Sequence, residues 1–147
     1  ANVVASTVLN YVFNETDTPT RKTMRYVIPT PILNAVGATS LLDFLNSGGA
    51  LLVYGTNYGT STQRLFDYEY GNARYSYSDN AASSTMYLTI QSTDGSPLDE
   101  FDYSSTRGNR FRYVMIPAGV RLTGNVSPQD LAKMDYEEVR ALFNLPE

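Results

Sequence analysis

The chain contains no cysteine, no histidine and no tryptophan in 147 residues, and its only lysines are Lys22 and Lys133. Without thiol or imidazole there is no cysteine nucleophile, no serine–histidine triad, and no sulfur or ring-nitrogen ligand for zinc or haem iron. A disulfide framework is excluded too. Positive charge is sparse: 11 basic residues, nine of them arginine, stand against 15 acidic ones for a net charge of −4. The arginines are scattered among acids, whereas a duplex-binding face needs clustered cations to displace the counterions around phosphate. No nucleic-acid partner is expected. No apolar run approaches the ~18 residues of a membrane helix. The longest candidates are Ala50–Tyr54 and Val114–Ile116, which stops at Pro117.

At ~100–200 residues per domain, residues 1–147 make one domain, large enough to bury a core without metal or disulfide staples. Tyrosine is the anomaly, with 12 residues, six of them between Tyr54 and Tyr77. Ser, Thr, Asn, Gly and Tyr are abundant and Lys is rare, a balance found in secreted β proteins. Together with a first residue, Ala1, other than Met, this leads us to expect an exported protein, periplasmic or at the outer-membrane surface.

Val3–Phe13 is rich in β-branched and aromatic residues on both alternate sets, as in a strand covered on two sides. Met24–Ile28 alternates and ends at Pro29 and Pro31, because proline cannot donate to a ladder. Ser40 is an N-cap for Leu41, Leu42, Phe44 and Leu45 at helical spacing, and Gly48 supplies the left-handed stop. Ala50–Tyr54 then reads as a buried strand, and Gly55–Thr62 as a loop. Thr85–Gln91 alternates with Met86, Leu88 and Ile90 inward. Ser96–Asn109 reads as a long polar loop and Phe111–Ile116 as the last strand. Ser127–Pro128 and Asp135 each open a short helix, the second with Tyr136, Val139, Leu142 and Phe143 as its apolar stripe.

The most specific local signal is Gly71–Asn72, a dipeptide suited to a two-residue hairpin turn. That turn sets Tyr70 against Ala73, Glu69 against Arg74, Tyr68 against Tyr75, Asp67 against Ser76 and Phe66 against Tyr77. The rings then fall on one face and the charges on the other. The whole chain is expected to be mainly β: an antiparallel β-sandwich of about seven or eight strands over residues 1–123, with a short inserted helix. Residues 124–147 form a helical tail packed on it.

Three stretches carry a family likeness. They are Gly48–Gly49 running into Leu51–Tyr54, the strand Phe111–Pro117, and the ending Asp135–Glu147. In these the chain resembles Bacteroidetes-type exported or lipoprotein-anchored proteins of unknown function. The resemblance implies a surface or periplasmic β domain, with membrane contact only through a lipidated cysteine upstream of the residues shown. It supplies no catalytic residues.

Carboxylates, hydroxyls, Lys and Arg are the remaining catalytic material. Asp67 and Glu69, about 6–7 Å apart at Cα on one strand face, have the residue types of a glycosidase pair. The hairpin register, however, places Glu69 across from Arg74, which makes a surface ion pair. Asp94, Asp99, Glu100 and Asp102 offer oxygen to calcium but lack the spacing of an EF-hand loop, so solvated loop charges are expected and no cofactor or metal. The sequons at Asn14 and Asn125 matter only in a eukaryotic secretory pathway. The expected function is a non-enzymatic structural or interaction module with a protein or glycan partner. The alternative is a carbohydrate-binding module using loop tyrosines, with Tyr54, Asn57, Tyr58, Gln63 and Arg64 as the candidate ligand-binding residues.

Overall fold

Alternation along the two longest apolar strands dictates the architecture. In the computed structural model, which describes residues 2–147 and so leaves Ala1 outside the described residues, Ala50–Thr56 (β5) and Arg110–Ile116 (β10) pair antiparallel over their whole length. Val4–Ala5 (β1) and Leu9–Asn10 (β2) flank β10 on its other side, and Arg64–Leu65 (β6) flanks β5. Phe111, Tyr113, Met115 and Val53 point to one face of this first sheet, and Val114, Ile116, Leu52 and Tyr54 to the other. Both faces are therefore apolar and both must be covered.

The second sheet covers one of them. It consists of Thr16–Asp17 (β3), Arg21–Val27 (β4), Tyr68–Tyr70 (β7), Ala73–Asn80 (β8) and Thr85–Ser92 (β9), in the order β3-β4-β9-β8-β7. Met24, Tyr75, Met86, Leu88 and Ile90 face the first sheet across an aromatic core. Within that core Tyr26 and Tyr113 meet edge to face, their hydroxyls 2.9 Å apart. The outer face is polar: Thr23 and Thr89 share a hydrogen bond of 2.9 Å, and Arg21 donates to Gln91 at 2.6 Å.

Helices cover the far face of the first sheet. Ala118–Thr123 (α4), Pro128–Leu131 (α5) and Tyr136–Phe143 (α6) follow β10, and Val126, Leu131, Tyr136, Val139 and Leu145 pack on Leu52, Tyr54, Val114 and Ile116. Asp135 caps α6 by accepting from the Glu138 amide, and Asn144 ends it at φ 55°. Its expected apolar stripe is narrower than the sequence implied. Tyr136 and Val139 are fully buried while Leu142 is 45% exposed, because three residues per turn of stripe drifts off a 3.6-residue helix.

The mainly β reading holds, with ten strands rather than seven or eight. The count rises because several edges are only two residues long. Val3–Phe13, expected as one strand, is split by a bulge: residues 6–8 lie opposite 112–113. There Ser6 Oγ accepts the Tyr113 amide at 2.9 Å, so that donor keeps a partner across the bulge. The inserted helix Leu41–Asn46 (α2) is capped by Ser40 as expected. It is preceded by Thr30–Ala35 (α1), which opens at Pro29 and Pro31, read from sequence only as strand terminators. The polar loop before β10 contains Glu100–Tyr103 (α3), with a reciprocal Asp99/Asp102 capping box.

The Gly71 hairpin has the expected register, with Tyr68, Glu69 and Tyr70 opposite Tyr75, Arg74 and Ala73. Gly71 adopts φ 61°, as the turn requires. Pairing stops before Asp67 and Phe66, because the chain there leaves for the first sheet. The Phe66 amide donates to the Val53 carbonyl at 2.9 Å, and Asp67 Oδ1 takes the Tyr77 amide in place of a ladder carbonyl.

Candidate functional site

Two loops meet at one end of the two sheets, residues 57–63 between β5 and β6 and residues 93–109 between β9 and β10. The first is anchored from beneath. Asn57, 2% exposed, accepts the Tyr68 hydroxyl at 2.9 Å through Oδ1, and its carbonyl accepts the Thr60 amide at 3.2 Å. Gly55 makes this possible, since a Cβ there would collide with the Tyr68 hydroxyl and lie 3.0 Å from the Phe66 ring. Burial pushes the Tyr68 phenol well above its ordinary range.

Above that anchor Tyr58 projects outward, 50% exposed, its ring centroid 4.6 Å from that of Phe101, itself 41% exposed. Phe101 is held by α3, whose N-terminus Asp99 caps at 2.8 Å through the Phe101 amide. The Arg107 guanidinium lies 5.1 Å over the Phe101 ring while pairing with Glu100 at 2.5 Å. Tyr70 donates to the Tyr58 carbonyl at 3.4 Å, and Arg64 lies 5.0 Å over the Tyr70 ring. The result is a pair of partly exposed, mutually packed rings, with one guanidinium over Phe101 and a second over the neighbouring Tyr70 ring. Such a surface stacks against a flat, partly apolar ligand and offers donors at its edge.

The five sequence-derived candidates therefore separate. Tyr58 and Arg64 belong to this aromatic surface, joined through Tyr70. Asn57 supports it from below and is not exposed. Tyr54 is fully buried on the helix-covered face, edge to face with Tyr136 at 5.5 Å, and burial raises its phenol. Gln63 lies on the other flank of the loop, where its carbonyl accepts the Tyr136 amide at 3.2 Å and its Oε1 faces Arg112 at 3.4 Å. Phe101 and Arg107 were not selected from sequence. The available signal was a ring isolated among acids, Glu100–Phe101–Asp102, in a segment with no β periodicity.

The acidic groups are occupied locally. Arg74 reaches both Asp67 at 3.4 Å and Glu69 at 3.8 Å, a solvent-exposed cluster on the outer face of the second sheet. The Ser96 hydroxyl and amide, with the Ser92 hydroxyl, hold the Asp94 carboxyl down at about 2. Burial pushes Asp102 the other way, above the usual carboxylate range. Among the described residues no group of three or more acidic side chains is placed to hold a metal ion, and no helix is long and apolar enough to cross a membrane.

Comparison of the chain with family models, with curated proteins and with solved structures gave no match.

Proposed function

We propose that this chain is a non-enzymatic binding module of an exported protein, working in the periplasm or at the outer-membrane surface, and that it engages its partner through the Tyr58–Phe101 end. The observation that carries the proposal is the exposure of these two rings, while the other aromatic side chains are buried or half-buried. The two rings pack on each other across two loops and still leave apolar surface in contact with solvent, which a partner could cover. The composition and the likeness to Bacteroidetes-type exported proteins support the compartment.

Of the two partner classes, the geometry favours a glycan. A pyranose presents a flat C–H face to a ring and hydroxyls to the flanking Arg64 and Arg107, whereas a protein interface of ordinary size needs a broader apolar centre than two rings. A glycan array probed with the protein and with Tyr58→Ala tests this. The wild-type chain is expected to bind a subset of saccharides, and Tyr58→Ala to weaken that binding roughly three- to tenfold with unchanged thermal stability. Absence of saccharide binding by the wild type, or equal binding by the variant, would overturn the glycan reading.

A further inference from the structure

On the opposite flank of the same loops, the alternation of β10 puts Arg110 and Arg112 on the helix-facing side, in line with Val114 and Ile116. Arg112 is only 2% exposed. Its Nη2 donates to the Ser6 carbonyl at 2.9 Å, its Nη1 faces Gln63 Oε1 at 3.4 Å, and its guanidinium lies 4.0 Å from the Tyr136 ring. Its Nε–H has no partner. Among the described residues Arg110 and Arg112, like Arg21, Arg25, Arg64 and Arg121, have no carboxylate within ion-pair distance, whereas Arg74 and Arg140 have two each and Arg107 has one. A buried cation held only by neutral acceptors is costly, and its desolvation already favours loss of charge.

Both arginines line a cleft of about 360 Å³ whose walls carry the hydroxyls of Thr56, Thr60 and Ser61 and the Gln63 amide. Arg110 lies directly across the ladder from Thr56. Glu147 is the one acid that lines the cleft, and its carboxylate pairs with Arg140 at 3.3 Å. The cleft is thus lined by two arginines and several hydroxyl-bearing residues, and its single lining acid is already paired.

We infer that this cleft is an oxyanion site, taking a carboxylate or sulfate group on the Arg110 guanidinium and the neighbouring hydroxyls, with the Arg112 charge beneath it. Where the glycan reading above holds, on which this identification of the ligand rests, the ligand is an acidic saccharide. Residues 57–63 supply Tyr58 to the aromatic surface and Thr60, Ser61 and Gln63 to the cleft. Residues 104–109 likewise supply Arg107 to one and Gly108 to the other. A chain of sugars crossing these loops would meet rings on one side and cations on the other.

The test has two arms. Inorganic sulfate is titrated at constant ionic strength against sodium chloride while the Nε–H resonance of Arg112 is followed by ¹⁵N NMR, in the wild type and in Arg110→Gln, whose half-exposed side chain leaves the core intact. A saturable Arg112 shift that weakens at least fivefold in Arg110→Gln is the expected result. No saturable shift, or one unchanged in the variant, overturns the site. In the second arm, uronate-containing, sulfated and neutral oligosaccharides of equal length are compared. A tenfold preference for either acidic class, lost in Arg110→Gln, names the source of the anion. Equal binding of neutral and acidic forms overturns the acidic saccharide and leaves the aromatic surface standing. A sulfate response with no saccharide binding at all supports the cleft and overturns the glycan reading.

Discussion

Tyr54 and Tyr58 are four positions apart and chemically identical, yet one is sealed under a helix and the other stands half open. The difference is topological: Tyr54 alternates onto the side of β5 that the C-terminal helices cover, and Tyr58 lies past the strand end. Sequence periodicity alone does not reveal that the second side is covered, so the two looked equivalent there. The same scale holds a sharp test in Gly55. Its backbone is in an ordinary extended region, and what it provides is room for the Tyr68 hydroxyl that fastens Asn57. Gly55→Ala is expected to destabilise the fold by about 1–3 kcal/mol through overpacking. Urea denaturation measures this, and a change below a few tenths of a kcal/mol would mean that the ring has free space to move.

At the scale of elements, the hairpin at Gly71 and the caps at Ser40, Ser127 and Asp135 were legible because each is set by residues adjacent in sequence. The bulge at Ser6 was not, since it is defined by the partner strand across more than a hundred residues. Helix α1 was missed because proline ends a strand and opens a helix with equal ease. Of the site, Tyr58 was readable as a loop residue and Arg64 as its close neighbour in sequence, whereas Phe101 and the cleft arginines depend on which loops the two sheets bring together.

Helix α5 gives this scale its prediction. The Ser127 amide and hydroxyl hold the Asp130 carboxyl below the usual carboxylate range. A carboxyl whose pKa is depressed by folding contributes stability above its unfolded value of about 4, and that contribution fades as pH falls through the folded value. Carbon chemical shifts of residues 128–132 are therefore expected to lose helical character as the pH drops below about 4. In Asp130→Asn that pH dependence should be absent. Shifts that stay helical to the same low pH in both proteins would contradict the capping account.

At the scale of the whole molecule, the chain devotes both faces of its first sheet to packing and one face of its second to solvent. The two exposed aromatic rings lie at the end where residues 57–63 and 93–109 meet. An apolar depression of about 670 Å³ between α4 and α6 is lined by Val120, Val126, Leu142 and Phe143 and carries no charged group. These surfaces make competing predictions about where a partner would sit. A ¹H–¹⁵N NMR titration with the best saccharide from the array discriminates among them. The account expects the largest shifts at Tyr58, Phe101, Arg107 and their loop neighbours. Shifts centred instead on the outer face of β4, β8 and β9, or on the groove between α4 and α6, would contradict it.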